Sequence, residues 1–261
     1  RHGVFILTKW YLDCVDTRGR SAIVYWSRIA WQGFAFSIHS LTIHEPGAEP
    51  ISRSSFADAP PPSRHGRQVI WHGEGLGCDV KMDAHIDPFG VRLFESRDGT
   101  VDWRCEAASA RVTCSVPGHA SIEGTGYAEC LTTNVLPWRL PIEELRWGRW
   151  ICEDASRSIV WIDWRGPHPL TEVFVDGLRQ TGSSVTDEGV TTDALTLTLS
   201  EHHRLHERSL SDLVEPLKPL ARLLPKAWLA VRDCKLKSTG TTDTSDSVLT
   251  GWAIHEYVRF P

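Results

Sequence analysis

The sequence predicts a mainly β protein built from two antiparallel β units, with little helix. Short segments of alternating apolar and polar residues run through most of the 261 residues, and no helical crossover separates them. Trp10, Cys14 and the pair Arg20-Ser21 have counterparts in Trp150, Cys152 and the pair Arg157-Ser158, and the two cysteines are 138 residues apart. Such a repeat indicates two similar units. We place the boundary near residue 120, at the turn 117–121, which gives units 1–120 and 121–261.

Strands dominate the first unit, because apolar alternation is repeatedly bounded by turn residues. The predicted strands are 4–15, 22–26, 33–43, 80–86, 90–95, 101–106 and 110–116. The proline-rich segment 45–68 breaks this pattern, and we expect a loop beside a pocket entrance there. Small antiparallel units avoid exposed edges by closing, so we expect each unit to form a barrel or a nearly closed sheet.

The second unit shows the same alternation. The predicted strands are 145–152, 159–164, 170–175, 191–200 and 249–260. The segment 209–224 carries leucines at helical spacing, but Pro216 and Pro219 interrupt it. We therefore expect two short helical turns there rather than one helix.

Composition excludes several classes of function. A net charge of −5 leaves no basic surface for nucleic acid. No run of 18 apolar residues exists, so we expect no transmembrane segment, while peripheral membrane contact stays open. The seven cysteines form no Cys-x-x-Cys pair, and the first residues lack the layout of a signal peptide. We therefore expect reduced thiols in a cytoplasmic protein; the oligomeric state is not determined by these features.

The segment 124–129 carries the strongest candidate chemistry. In an extended strand, Tyr127 and Glu129 project side by side, opposite a row of small residues. Leu131 continues their row, and in apolar surroundings a carboxyl group tends to stay protonated. A neutral carboxylic acid beside a phenol is a candidate proton donor; the alternative is a surface strand with a solvated Glu129.

Two further carboxyl groups are candidates. Glu256 falls in the otherwise apolar row of the last strand, so it is either a second functional acid or half of an internal salt bridge. Asp163 shares a strand face with Trp161. His255 lies on the opposite face of the last strand from Glu256.

One pair of histidines has a metal-like spacing. His202 and His206 are four residues apart, which would place them on one face of a helix. No third ligand is identifiable, so the sequence does not predict a metal site. No cofactor motif is present, and we expect the protein to act without a cofactor.

Three short blocks resemble the carotenoid hydratase (hydroxyneurosporene synthase) family. They are Trp-Tyr-Leu-Asp at 10–13, Gly-x-Gly-Tyr-Ala-Glu at 124–129 and Gly-Trp-Ala-Ile-His-Glu at 251–256. That family belongs with the tocopherol cyclases and AttH-like proteins in a tandem lipocalin-like superfamily. The resemblance implies two lipocalin-like β domains packed together, a hydrophobic pocket, and an isoprenoid or polyene substrate. It also implies that Tyr127 and Glu129 match the Tyr-x-acid pair of the hydratases.

These observations lead to one hypothesis of mechanism, an acid-initiated cyclase or hydratase of an isoprenoid polyene or epoxide. Glu129 is the first choice of proton donor, followed by Asp163 or Glu256, and Tyr127 orients the acid. Tryptophan faces in a pocket at the domain interface would stabilise the carbocation. The predicted substrate-binding residues are Trp26, Trp103, Trp150, Trp161 and His255.

Two other hypotheses remain open. A non-catalytic lipophile-binding protein needs an apolar pocket but no carboxyl group in its wall. A pericyclase of the Diels-Alderase type needs a folded substrate pose but no proton transfer.

Overall fold

The computed structural model describes residues 5–209, 225–243 and 248–261, and they form the mainly β fold that the sequence predicts. Their regular structure lies in two antiparallel sheets of ten and nine strands, one of which curls into a half-barrel. Helix in these ranges is limited to short 3-10 turns at Glu74–Leu76, Pro137–Arg139 and Lys226–Ala230. None of the described residues forms a helix that is long and apolar enough to cross a membrane.

The first sheet contains the strands β1 to β10. They are β1 Ile6–Val15, β2 Ser21–Trp31, β3 Phe34–His44, β4 Ile51–Ser55, β5 Ser63–His65, β6 Gln68–Gly73, β7 Cys78–Ala84, β8 Phe89–Ser96, β9 Gly99–Ser115 and β10 Ile122–Thr133. Their order across the sheet is β4-β3-β2-β1-β10-β9-β7-β6-β5. The long strand β9 pairs with β8 through its first part, residues 99–105, and with β7 through its last part, residues 110–115. Since β1 pairs with β10, the first and last strands of this sheet are neighbours.

The second sheet contains the strands β11 to β19. They are β11 Glu144–Cys152, β12 Ser158–Arg165, β13 Leu170–Val175, β14 Leu178–Arg179, β15 Ser184–Val185, β16 Gly189–Thr191, β17 Thr196–Ser209, β18 Arg232–Asp243 and β19 Val248–Arg259. Here too the first strand, β11, pairs with the last, β19. The repeat seen in the sequence therefore corresponds to a repeated topology, with β1 and β2 matching β11 and β12.

Contacts divide the chain into two compact units. The first comprises Arg1–Leu136 with Glu153–Arg157, and the second comprises Pro137–Cys152 with Ser158–Pro261. The second unit thus begins at Pro137 rather than near residue 120. The reason is that β10 pairs with β1 on one side and β9 on the other, so it belongs to the first sheet.

Strand alternation sets the core of the first unit. Trp10, Leu12 and Cys14 project from β1 into a buried apolar cluster that strands on both sides of β1 complete. Tyr11 and Asp13 project from the opposite face and are buried as well. An apolar cluster in the second unit is built in the same way around Trp150 and Trp161 of its first two strands.

The segment 45–68 is not a single loop. It contains the edge strands β4 and β5, and the stretch between them packs on two indoles. Trp26 Nε1 donates to Ala59 O at 2.9 Å and Trp71 Nε1 donates to Pro60 O at 3.1 Å. The predicted helical turns at 209–224 lie outside the described residues, apart from Ser209, which ends β17.

The glycines of the 124–129 motif are explained by the approach of β1. A Cβ atom at Gly126 would lie 2.0 Å from the carbonyl oxygen of Asp13, and one at Gly124 would lie 2.0 Å from that of Val15. Both contacts are with backbone atoms, which cannot move without shifting β1. The two glycines therefore permit the β1–β10 pairing.

Gly126→Ala should consequently lower the free energy of unfolding by about 1–3 kcal/mol, the usual range for an overpacked core position. Thr132→Ala, at an exposed position of β10, is the control and should change it by less than about 0.5 kcal/mol. Urea denaturation measures both values. Equal small effects for the two variants would contradict the close approach of β1.

Candidate active site

Tyr127 and Glu129 lie together on the face of β10 that points away from the apolar cluster. Ala128, between them, packs in that cluster. Tyr127 is fully buried and Glu129 retains only 8% of its exposure, so this polar face is removed from water. The alternative of a solvated surface strand therefore does not describe this segment.

The Glu129 carboxyl group accepts two hydrogen bonds at the same oxygen. The Tyr127 hydroxyl donates to Oε2 at 2.7 Å, and Trp103 Nε1 donates to Oε2 at 2.5 Å. Two rigid aromatic donors fix the orientation of the carboxyl group. They also stabilise its charged form, because a hydrogen bond to a carboxylate is stronger than one to a neutral acid.

The position of Trp103 depends on an irregularity in the β9–β10 ladder. The register shifts on both sides of Ala128, and beyond it Glu129 faces Cys105 while Leu131 faces Trp103. The indole therefore reaches diagonally across the ladder to Glu129. Bulges of this kind redirect side chains and are frequent next to functional sites.

Strand β1 supplies a second Tyr-x-acid pair to the same face. Tyr11 lies opposite Glu129 in the antiparallel register, and its hydroxyl donates to Asp13 Oδ2 at 2.8 Å. The backbone N–H of Tyr127 donates to Asp13 Oδ1 at 3.2 Å. The two pairs thus interlock, with the Tyr11 and Tyr127 rings 6.1 Å apart.

Sequence reasoning missed Tyr11 and Asp13 as members of this site. The signal was present, because Tyr11 and Asp13 have the same spacing as Tyr127 and Glu129. It could be recognised only with the β1–β10 pairing in hand.

Burial controls the ionisation of the neighbouring groups. The pKa of the Tyr127 hydroxyl is raised well above its ordinary value, first by burial and then by the charge of Glu129. The pKa of the Cys105 thiol is raised for the same two reasons, in the same order. Both groups therefore keep their protons at neutral pH.

A cavity of about 540 Å³ lies between β8, β9 and β10, and Trp103 is part of its wall. Cys130 and Glu106 line it as well.

Burial raises the pKa of Glu106, although Arg104 and Arg64 oppose this effect. Burial, followed by the charge of Glu106, raises the pKa of Cys130 to about 12. Sequence reasoning did not single out Glu106, because it follows Arg104 in a segment that looks like an ordinary charged strand.

The structure separates the predicted tryptophans. Trp103 contacts Glu129, whereas Trp26 packs in the apolar cluster on the other face of the first sheet. Trp150 and Trp161 pack in the apolar cluster of the second unit. The indole N–H of Trp150 donates to the carbonyl of Gly240 at 3.0 Å, a contact of the kind that buried indoles require.

The other two predicted acids lie in the second unit and carry ion pairs. Asp163 accepts from Arg165 Nε at 2.8 Å and from the Thr171 hydroxyl at 2.6 Å. Glu256 pairs with the buried amino group of Lys235.

The two histidines with metal-like spacing do not lie on a helix. His202 and His206 lie on strand β17, where His202 contacts Ser238 and His206 contacts Asp233. Across residues 5–209, 225–243 and 248–261, no group of three His, Cys, Asp or Glu side chains is placed to hold a metal ion.

Tyr127 should make stability depend on alkaline pH. Its folded-state pKa lies above the value of about 10 in the unfolded chain, so above pH 10 the unfolded state loses a proton that the folded state keeps. The free energy of unfolding then falls as the pH rises. Tyr127→Phe should show a shallower fall above about pH 10, measured by urea denaturation over a pH series. Parallel curves for the two proteins would contradict the raised pKa.

The comparisons with known proteins show similarity of structure. No family model and no curated protein matches the chain. CghA, determined with Sch210972, matches with a TM-score of 0.59 and 9% identity over 98% of this chain and 89% of that chain. A putative AttH from Nitrosomonas europaea matches with a TM-score of 0.57 and 10% identity over 96% and 92%.

Kievitone hydratase from Nectria haematococca matches with a TM-score of 0.53 and 10% identity, over 98% of this chain and 89% of that chain. At such low identity these matches establish the fold. The chain therefore shares the fold of these three proteins.

Proposed function

We propose that the protein is an acid-initiated cyclase or hydratase of a hydrophobic isoprenoid, with an alkene or epoxide as the reacting group. The observation that carries this proposal is the buried Glu129 carboxyl group, held by Tyr127 and Trp103. Glu129 is the proton donor, and Tyr127 and Trp103 position it. The reaction requires no cofactor.

The site has two properties that a proton donor needs, one before the proton is transferred and one after it. In the proposed mechanism Glu129 holds the proton before the reaction, and removal of a carboxyl group from water favours that neutral form. Donation then leaves a carboxylate, and the hydroxyl of Tyr127 and the indole N–H of Trp103 stabilise the new charge without reorganising. The same two donors therefore favour the transition state over the ground state.

The step balances as an addition to a double bond. The π electrons of the alkene take the proton of Glu129 and form a C–H bond, which leaves a carbocation on the other carbon and a carboxylate on Glu129. In a cyclisation, a second double bond attacks this cation and forms the ring. Loss of a proton to the carboxylate, or addition of water followed by loss of its proton, completes the reaction and restores the acid.

Aromatic rings around the acid support a cationic intermediate. Tyr11 and Tyr25 are in edge contact at 5.1 Å, and Phe89 contacts Trp103 at 5.8 Å. A cation over such a ring gains about 2 kcal/mol or more when water is excluded. Trp103 also borders the 540 Å³ cavity, which has the size of a ligand site. Glu129 is not among the residues of that wall, and the Trp103 indole connects it to the cavity.

Glu129 is preferred over Asp163 and Glu256 because a buried phenol and a buried indole, those of Tyr127 and Trp103, hold its carboxyl group in one orientation. Two of the structurally similar proteins are relevant to the reaction class. One protein of this fold is a hydratase, and another was determined with the small molecule Sch210972.

Solvent deuterium should appear in the product. The protein is incubated in deuterated water with a panel of isoprenoid alkenes and epoxides, and products are analysed by mass spectrometry and NMR. Proton transfer from Glu129, which exchanges with solvent, places one deuterium on carbon for each alkene turned over. Turnover of an alkene without deuterium on carbon would instead support a pericyclase, and binding of the panel without turnover would support a lipophile carrier. Epoxides are scored for turnover only, because their transferred proton lies on an exchangeable hydroxyl group.

Glu129→Gln should lower kcat by about 10²-fold or more, because the amide cannot supply the proton. Tyr127→Phe should lower it less, because it removes one hydrogen bond and leaves the acid in place. Glu106→Gln tests an alternative donor, since Glu106 is also buried and lines the cavity, and Glu172→Gln, at a buried acid of the second unit, is the matched control. Ligand affinity and thermal unfolding of each variant verify the fold. Full activity in Glu129→Gln would contradict the role of Glu129, and a selective loss in Glu106→Gln would transfer that role to Glu106.

A further inference from the structure

The second unit contains a cavity of its own. It has a volume of about 260 Å³ and lies at one end of the second sheet. Its wall includes Trp161 of β12, His202 of β17, and His255 and Tyr257 of β19. Glu129 belongs to the first unit, so the chemistry proposed above leaves this cavity unexplained.

Two histidines of this wall are joined through a buried serine. His202 Nδ1 lies 2.7 Å from Ser238 Oγ, and Ser238 Oγ lies 2.8 Å from His255 Nε2. Ser238 is fully buried, His255 is partly buried and His202 is exposed. The chain of hydrogen bonds therefore joins a partly buried histidine of the wall to a histidine of the same wall that is exposed to solvent.

Strand β17 is distorted where it supplies His202. Leu195, Leu197 and Leu199 alternate regularly into the apolar cluster, and on that pattern His202 would point away from it. The register with β18 shifts between Ser200 and His203, and Glu201 has a φ of 51°, in the left-handed region. This bulge turns His202 toward Ser238. Backbone strain of this kind persists where the surrounding structure holds it, and it is concentrated at functional sites.

Strand β11 has a glycine where it passes between Trp161 and His255. Gly148 lies between Trp161 and His255 in the sheet, and a Cβ atom there would lie 2.2 Å from the indole and 2.7 Å from the Cβ atom of His255. The absence of a side chain lets the indole lie beside the imidazole, with their ring centroids 6.4 Å apart. The cavity thus has a flat aromatic wall next to a histidine.

The charges around His255 are largely compensated. Arg146 of β11 pairs with Glu144 at 2.7 Å and also with Asp187, in the turn between β15 and β16. Lys235 of β18 pairs with Glu256. Burial, followed by the positive charges of His202 and Lys235, lowers the pKa of His255 to about 3, so its imidazole is neutral at physiological pH.

We propose that His255, Ser238 and His202 form a proton relay between this cavity and solvent, and that the cavity binds a neutral single-ring phenol or enol. The volume is below the range of roughly 300–1,000 Å³ for larger ligands, which favours a single ring. The Trp161 indole offers a planar ring a stacking or edge contact. The charged side chains at the rim are already paired, so the ligand needs no charge of its own. A weakly acidic hydroxyl group can donate a proton to the relay or accept one from it.

The relay moves one proton in and one proton out. Solvent protonates His202 at Nε2, and His202 passes its Nδ1 proton to Ser238 Oγ. Ser238 passes its own hydroxyl proton to Nε2 of His255, and His255 releases its Nδ1 proton to the oxygen of the ligand anion. Every group is neutral again at the end, and the reverse sequence removes a proton from the ligand.

Ligand binding tests the cavity, with 4-nitrophenol as the probe and 4-nitroanisole, which lacks the acidic hydroxyl, as the matched ligand. Calorimetry should show binding of 4-nitrophenol at least about tenfold tighter than that of 4-nitroanisole, and a similar loss in His255→Phe. His72→Phe, at an exposed histidine of the first unit, is the control and should bind as the wild type does. Absence of binding, or equal binding in His255→Phe, would overturn the site.

If His255→Phe does not fold, the wild-type protein labelled with ¹⁵N-histidine provides the same test. Addition of 4-nitrophenol should shift the side-chain resonances of His202 and His255 and leave that of His72 in place. Unchanged resonances of His202 and His255 at saturating probe would overturn the site.

Ser238→Ala tests the relay apart from the cavity. The variant should bind 4-nitrophenol within about threefold of the wild type, because Ser238 lies behind His255. Interconversion of bound phenol and phenolate, followed by absorbance after a temperature jump, should be slowed about tenfold or more. Thr242→Val removes another buried hydroxyl of β18 and should leave this rate unchanged. An unchanged rate in Ser238→Ala would refute the relay.

Discussion

The pairing of β1 with β10 is the contact on which the candidate active site depends. It joins the first and last strands of the first sheet, so residues more than a hundred positions apart become neighbours. The strands approach closely enough that the carbonyl oxygens of Asp13 and Val15 occupy the places of side chains at Gly126 and Gly124. This contact sets the register in which the two Tyr-x-acid pairs interlock.

Both units bury charged groups on the sheet face opposite the apolar cluster. In the first unit the buried acid is Glu129, held by Tyr127 and Trp103. In the second unit the corresponding face carries the Lys235–Glu256 pair. Burial of such groups is unfavourable unless hydrogen bonds or opposite charges compensate it. Hydrogen bonds compensate the burial of the carboxyl group in the first unit, and an ion pair does so in the second.

The strands differ in how they present their side chains. On β1 the alternation is regular from Trp10 to Cys14, and every second residue of that stretch packs in the cluster. On β10 a register shift beside Ala128 brings Glu129 and Trp103 together, and on β17 a bulge at Glu201 brings His202 to Ser238. At both candidate sites an irregular strand therefore supplies a reactive side chain, because an ideal ladder would point that side chain elsewhere.

The sequence by itself determined the fold class, the repeat of two units, and the faces of β1 and β10. These features depend on alternation between adjacent residues, which is a local property of an extended chain. It also placed Tyr127 and Glu129 side by side, since their spacing puts them on one row. The start of the second unit at Pro137 could not be derived in this way, because the membership of β10 in the first sheet depends on its distant partners.

Only the tertiary structure decided which side chains meet. Asp13 and Trp103 join the Glu129 site because β1 and β9 flank β10, and no local pattern specifies which strands become neighbours or in what register. The same holds for His202, whose spacing from His206 would suit one face of a helix but whose strand bulge directs it to Ser238. Local chemistry fixes where a side chain points along its own strand, whereas the pairing of distant strands, and the bulges that adjust it, fix what that side chain touches.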